Sequence, residues 1–344
     1  MRLGRVFPEQ QVYAKCEHLA PSGSFKIRGS LHLLRTLTDP NVGGTTTTPS
    51  GPLVVPSMGN TALGCAEGLK MLAAASTGGG AAMSMVAVVP ASITRAKQDK
   101  LRSMGIELLM VDGSGSAVLD AARTHADDTP GYMVHPHLDH HWTDGYQTLI
   151  DEVLRQLPEC RSIVFPVGGG GLLMGLSARA PIVSPLGHTV ELVGCEPAVA
   201  AKYAAADTRA AFQAHRAVRT IADGLMLDRP HVAVQERIEA HKMHVGLVCE
   251  GSIPAAMRTL YEQHGLLVEP SSAVPVAYVH SCFASAAPHA THDAAAVASA
   301  RRRLAEPIVV VLTGDNIARD DFFRIIRDAP SLRTESSSHE HAHA

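Results

Sequence analysis

Ile163-Val164-Phe165-Pro166-Val167-Gly168-Gly169-Gly170-Gly171-Leu172 reads as a buried strand that runs into four glycines and then into an apolar helix. A near-continuous aliphatic and aromatic run suits a strand covered on both faces of a parallel sheet. Glycines at such a junction let the backbone approach a ligand closely and aim successive N–H groups at an anion such as phosphate. The pattern is neither GxGxxG with a downstream acid nor GxxxxGK[ST], which argues against a dinucleotide or a nucleoside triphosphate. A flexible turn is the bland alternative, and it explains four consecutive glycines less well.

Outward from this stretch, residues 53–55, 86–89, 108–111, 192–195 and 308–312 form further aliphatic runs of the same doubly covered kind. Between them, residues 93–104, 117–125 and 148–156 are amphipathic and helical in pattern. Strand–helix alternation at this spacing predicts an α/β fold with mainly parallel sheets. The length of 344 residues suits two domains, with 46% hydrophobic and 18% charged residues to build them. Thirty basic against 33 acidic residues give a net charge of −3 and no basic run, so neither nucleic acid nor a membrane surface is expected as partner. No apolar run reaches the roughly 20 residues of a bilayer span, and residues 1–9 lack a signal-peptide core. Six scattered cysteines without a CxxC pair read as reduced thiols in a cytoplasmic setting, with Cys65, Cys195 and Cys249 in apolar, core-like surroundings. Residues 36–52, 73–82 and 284–300 read as surface insertions and 334–344 as a disordered tail.

Three more segments carry chemistry. In Pro21-Ser22-Gly23-Ser24-Phe25-Lys26-Ile27-Arg28-Gly29 a lysine sits between apolar neighbours, which would desolvate its ammonium and lower its pKa, as a Schiff-base lysine requires. Ser57-Met58-Gly59-Asn60-Thr61 follows a strand and opens a helix, where N–H groups and the Asn60 amide can hold an anionic oxygen. Thr313-Gly314-Asp315-Asn316 ends a strand, at the sheet edge where open α/β folds bind ligands. Taken singly, these three read as a surface lysine, a helix cap and an Asx turn.

Taken together with the glycine run, they resemble the fold-type II pyridoxal-phosphate enzymes, in the serine/threonine dehydratase (threonine ammonia-lyase) branch. His135-Pro136, Gly145 with Thr148, Glu196-Pro197, Thr220-Ile221-Ala222-Asp223-Gly224-Leu225 and Glu269-Pro270-Ser271-Ser272-Ala273 follow in the family's order, so the resemblance spans about residues 13–317. It implies a two-domain, tryptophan synthase β-like fold with pyridoxal 5′-phosphate between the domains. The large domain would comprise residues 1–50 and 139–333, and a small mobile domain residues 51–138. It further implies that Lys26 carries the cofactor and moves the Cα proton, and that Phe25 packs on the cofactor. Gly168, Gly169, Gly170, Gly171 and Leu172 would hold its phosphate, Asn60 its 3′-oxygen and Thr313 its ring nitrogen. Ser57, Asn60 and Thr61 would line the substrate carboxylate site. A neutral hydroxyl at the ring nitrogen favours elimination over transamination. The implied reaction is loss of water from L-serine or L-threonine, giving pyruvate or 2-oxobutyrate and ammonia, in a cytoplasmic homodimer.

The chain departs from the pattern at several points. Met58 stands where serine racemases of this branch carry their second base, and a thioether transfers no proton. Thr61 replaces the dehydratases' histidine, and Asn60-Thr61 is closer to cysteine and threonine synthases, which keeps a β-replacement enzyme or an amino-acid racemase open. Glu196 and Ala200 match two positions of a divalent-cation site, whereas Lys202 stands at the third, usually acidic one, so no metal is expected there. The start of the chain lacks the family's Thr-Pro-Leu segment, which also leaves an inactive cofactor-binding homologue open, and no regulatory domain is expected after residue 312. Among the 19 histidines, His135, His137, His140 and His141 read as a solvated loop rather than a metal site, and so do His339, His341 and His343.

Overall fold

The computed structural model describes residues 1–39, 41, 49–75, 83–113, 115–204, 220–227, 229–283 and 303–332. Its strands fall into two sheets. The smaller is ordered β4-β3-β2-β5, from β2 (Leu53–Pro56), β3 (Met85–Pro90), β4 (Glu107–Val111) and β5 (Tyr132–Met133), all paired in parallel. The larger runs β1-β10-β6-β8 in parallel, from β1 (Val12–Cys16), β6 (Ser162–Pro166), β8 (Thr189–Pro197) and β10 (Ile308–Leu312). The free edge of β8 takes β9 (His244–Val248) in parallel and β7 (Ile182–Val183) antiparallel. This is the parallel α/β architecture that the aliphatic runs predict. The helices are α1 (Lys26–Thr38), α2 (Asn60–Ala75), α3 (Arg95–Ser103), α4 (Gly115–Asp128), α5 (Gln147–Gln156), α6 (Gly171–Ser177), α7 (Val232–Ala240), α8 (Ser252–His264), α9 (Pro270–Phe283) and α10 (Arg319–Ile326).

Strands β2, β3, β6 and β10 are buried along their whole length, as continuous apolar runs demand. The run at 108–111 behaves otherwise. It forms the outer strand β4, paired only to β3, and Leu109 and Met110 are exposed. Hydropathy alone does not distinguish an edge strand from a central one. Two supposed insertions begin as helix: Thr36 to Thr38 complete α1, and Ala73 to Ala75 complete α2. The remainder of the 73–82 stretch, residues 40 and 42–48 of the 36–52 stretch, all of 284–300 and the tail at 334–344 lie outside the described residues. Among the described residues, no helix is long and apolar enough to cross a membrane. The six cysteines form no disulfide, and Cys65, Cys195 and Cys249 are buried.

Helix α1 ties the two sheets together. Its Leu33 and Leu34 share one apolar cluster with Leu63 of α2, Leu149 of α5 and Phe165 of β6. Glycines make the approach possible. A Cβ on Gly64 would lie 3.0 Å from Lys26 Cβ, and one on Gly68 would overlap Ser30. The start of α1 is pinned from the other side by Arg28, which donates to both oxygens of Glu17 (2.6 and 2.8 Å) and both of Glu152 (2.8 and 2.7 Å). A forked guanidinium suits two carboxylates at once. Arg28 also donates to Thr148 Oγ1 at 2.8 Å, which gives the Gly145 and Thr148 pattern a structural meaning.

Candidate active site

The carboxyl ends of β2, β6 and β10 converge on one cavity, completed by the starts of α1, α2 and α9 and by the turn Asp223–Leu225. Open parallel sheets collect their ligand-binding loops at this end. The cavity lining includes Phe25, Lys26, Ser57, Asn60, Thr61, the four glycines Gly168 to Gly171, Leu172 and Thr313. Every residue singled out as a site residue in the sequence therefore meets in one place. Met58 lines it too.

Lys26 opens α1, and two connections fix its position. Phe25 N–H donates to Thr313 O at 3.0 Å, and Ser24 bridges Gly314. The Lys26 Nζ lies 4.7 Å from the Phe25 ring centroid and 5.9 Å from that of Tyr146. Burial pushes its pKa down to about 8, against a smaller upward pull from Glu269. This amine is therefore not a surface lysine: it loses its proton at a far lower pH than an exposed lysine does.

The glycine run is a cradle without room for side chains. Gly170 has φ +90, where an L side chain is strained. A Cβ on Gly169 would overlap the His137 ring, and one on Gly171 would overlap Pro136 O. Reading His137 as a solvated-loop residue is thus wrong. It lines the cavity and packs on the glycine loop because the loop lacks a side chain there. His140 is exposed, but with the half-buried His141 it forms the short helix His140–Thr143 rather than a loop, and the tail histidines lie outside the described residues.

The remaining polar groups form a connected set. Ser57 Oγ accepts from Gly59 N–H (2.8 Å) and Ala62 N–H (3.0 Å), capping α2. Asn60 Nδ2 donates to Glu269 Oε1 at 2.7 Å, and Asn60 Oδ1 accepts from Asn316 Nδ2 at 2.9 Å. Burial pushes the Glu269 carboxyl up to about 7, with Lys97 opposing. Lys97 reaches in from α3, its stem occupying the space over Gly59, and its Nζ lies 2.9 Å from Asp223 Oδ2. That pairing, with a pull from Glu269, outweighs burial and holds the Lys97 ammonium above its ordinary pKa. Thr313 Oγ1 lies 3.1 Å from Ser272 Oγ, which also bonds both Gly314 backbone groups. Sequence reasoning assigned no site role to Lys97, Tyr146, Glu269, Ser271 or His137. Glu269 and Ser271 stood in a quoted motif, but Lys97 lies in an ordinary charged helix and carries no local signal.

Lys202 also has a definite place. Its Nζ donates to Ala200 O (2.8 Å) and Leu225 O (3.0 Å) and lies 3.7 Å from Glu196 Oε2. Among the described residues no group of three or more metal-ligating side chains forms.

Comparison with known proteins gives this cavity its context. A relative named L-threonine ammonia-lyase, from Thermotoga maritima, is 29% identical over 269 residues, 78% of this chain and 62% of that one. The human protein named serine racemase is 27% identical over 276 residues, 79% of this chain and 75% of that one. The fold is shared with a fungal L-serine ammonia-lyase from Rhizomucor miehei (TM-score 0.70, 20% identity, 96% and 97% coverage). Maize serine racemase shares it too (TM-score 0.68, 22% identity, 92% and 87% coverage). The model of the family described as pyridoxal-phosphate dependent enzyme matches residues 2–314. A buried lysine with a lowered pKa and a side-chain-free glycine cradle, in a cavity between two parallel sheets, agree with that match, and the chain belongs to the pyridoxal-phosphate dependent enzymes.

Proposed function

We propose that this chain eliminates water from L-serine or L-threonine to give pyruvate or 2-oxobutyrate and ammonia. The observation that carries this reading is the pair of lysines in the cavity. Lys26 has its pKa lowered, whereas Lys97 is held protonated by Asp223 and Glu269, so one amine is poised to accept a proton and the other is not. Met58 is inert at the position where, by resemblance, a racemase keeps its second base.

The residues present fit pyridoxal phosphate. The glycine cradle has space only for a group that needs no side chain opposite it, and two buried lining atoms, Glu269 Oε2 and Ser271 Oγ, have no hydrogen-bond partner. When bound, the cofactor's pyridine ring withdraws electrons from the substrate Cα and makes its proton acidic. Lys26 would hold the cofactor, and its amine would accept the substrate's Cα proton. Gly168 to Gly171 and Leu172 hold the phosphate through backbone N–H groups. Ser57 Oγ already accepts two N–H bonds, so its own proton is free for a substrate carboxylate, beside Asn60 and Thr61. Ser272 gives its one proton to Gly314 O, so Thr313 is the donor in their 3.1 Å contact, and the Thr313 hydroxyl would turn that proton from Ser272 Oγ to the ring nitrogen. Asn60, oriented by Glu269 and Asn316, keeps one N–H for the 3′-oxygen, and Phe25 packs against the ring.

Residues 51–138 serve as the small domain and close over the substrate to exclude water. The bonds Lys97 to Asp223 and Lys100 to Asn316 (2.8 Å) join α3 to the other unit and would hold the closed form. The deciding experiment is keto-acid release across L-serine, L-threonine, their D-forms and 3-substituted serines. No keto acid from either L-substrate would end this reading. Asn60-Thr61 keeps two rivals, β-replacement, which a sulfide-dependent product would reveal, and racemisation, which D-serine formed faster than pyruvate would reveal.

A further inference from the structure

Three imidazoles meet behind the glycine loop. The rings of His137 and His231 have centroids 5.1 Å apart, and His135 stands 5.8 Å from the first and 5.4 Å from the second. His137 Nδ1 and His231 Nε2 are 3.1 Å apart and share one hydrogen bond. The opposite edge of the His137 ring, with Nε2, lies against Gly169 and lines the cavity. His231 is half-buried, just before α7, and its backbone N–H donates to Tyr203 OH at 3.0 Å.

The charges around His137 set a puzzle. Burial pushes it most strongly toward the neutral ring, and so do the described groups that act on it, Lys26 from α1, His231 from before α7, His135 from its own loop and Lys202 from beyond β8. His135 is acted on in turn by Asp139 and Arg123. Among the described residues no carboxylate acts on His137, although its ring sits where an anion is expected. The other cations lining the cavity are committed elsewhere: Lys97 is paired to Asp223, and Lys26 carries the cofactor. A phosphate above about pH 7 is a dianion, and backbone N–H groups alone bring no full charge to it.

We propose that His137 and His231 form a proton-accepting pair that takes up one proton from solvent when a phosphate dianion enters the Gly168–Gly171 cradle. The inference rests on the reading that this cradle holds the cofactor's phosphate. In the neutral pair one proton lies between the rings. The added proton makes both His137 nitrogens donors, with Nδ1 toward His231 and Nε2 toward the phosphate. The result is a charge-assisted hydrogen bond in a shielded site. His231 spreads the charge toward the surface, which a single buried imidazole could not do.

The test uses pyridoxine 5′-phosphate, which has the phosphate but no aldehyde and so cannot link to Lys26. Calorimetric binding to the apo chain at pH 7.5, in two buffers of different ionisation enthalpy, should show uptake of about one proton, since the imidazole is largely neutral at that pH in the free protein. His137→Asn should abolish the uptake and weaken binding about tenfold, the loss of one charge-assisted bond. His231→Gln, nearer the surface, should lower the uptake while leaving the fold intact. Between pH 7 and 9 the wild type should lose affinity more steeply than His137→Asn, and because both keep Lys26, the difference isolates the imidazole. Phosphate-free pyridoxine should bind both variants and the wild type alike. Zero proton uptake by the wild type, or uptake unchanged in His137→Asn, overturns the proposal. Gly169→Asp separates the layers. If its affinity for pyridoxine 5′-phosphate is unchanged, the cradle reading itself is wrong; if affinity collapses while the histidine variants behave as wild type, only the proton pair fails.

Discussion

The ammonium of Lys202 stands 3.7 Å from Glu196 Oε2, and neither side chain has any solvent-exposed surface. Glu196 Oε1 accepts from the backbone N–H groups of Lys202, Tyr203 and Ala204, each at 2.9 Å, so the carboxylate organises the chain that follows β8. Removing one member of a buried pair strands the other charge. Lys202→Met should therefore cost about 3–5 kcal/mol in urea denaturation. Lys202→Asp should gain a Tm increase from added calcium or magnesium that the wild type does not show. An equal response in the wild type would mean that Lys202 does not take the cation's place.

Lys26 should be the residue that carries the cofactor. Borohydride reduction of the holoenzyme and peptide mapping should place the pyridoxyl group on Lys26. The structure makes Lys97 the instructive control, since it lines the same cavity. A label on Lys97 would reverse the roles assigned to the two lysines.

The lowered pKa of Lys26 has a pH signature. Attack on the cofactor's aldehyde needs the neutral amine. The rate of covalent attachment to the apo chain should rise with pH and level off above about 8, the value to which burial pushes this lysine. Stopped-flow absorbance across pH 6.5 to 10 reads this directly. A rise that continues to the ordinary lysine range near 10.4 would show that Lys26 is not desolvated.

Elimination should exceed racemisation. Met58 cannot exchange a proton, and Lys97 is held as an ammonium, so among the described residues Lys26 is the one amine in the cavity with a lowered pKa. Chiral analysis of L-serine reactions should find far more pyruvate than D-serine, and Met58→Ser should raise the D-serine share measurably. Comparable rates of the two products in the wild type would place a second base elsewhere.

The anchor of α1 should weaken in acid. The Glu152 carboxyl is held down to about 2, first by the hydrogen bond from Arg28 and then by Lys15, with burial opposing. Its folded pKa lies below the unfolded value near 4.3. Its contribution is therefore complete above pH 4.3 and fades as pH falls toward 2. Glu152 is partly exposed, so the effect should stay within about 1 kcal/mol. Urea midpoints from pH 7 to 3 should fall less steeply for Glu152→Gln than for the wild type.

By itself the sequence determined the class of fold and most of the cavity's lining. Continuous aliphatic runs such as 163–167 and 308–312 mark covered parallel strands because both faces of such a strand shed water. The glycines at 168–171 and the apolar flanks of Lys26 are local features whose chemistry does not depend on distant partners. What tertiary structure alone decided is pairwise. Strand β1 carries Lys15 beside its last residue and yields no clean run, yet it completes the large sheet because β10 offers an open edge. Lys97 sits in a helix that reads as solvated, and it turns into the cavity because Gly59 leaves room for its stem and Asp223 meets its charge. His137 looked like one of several loop histidines until Gly169 and His231 met it on either side. Hydropathy and spacing report what a residue prefers around it, whereas a pKa or a hydrogen bond depends on which residue, from 94 positions further along the chain in the case of His231, arrives to supply it.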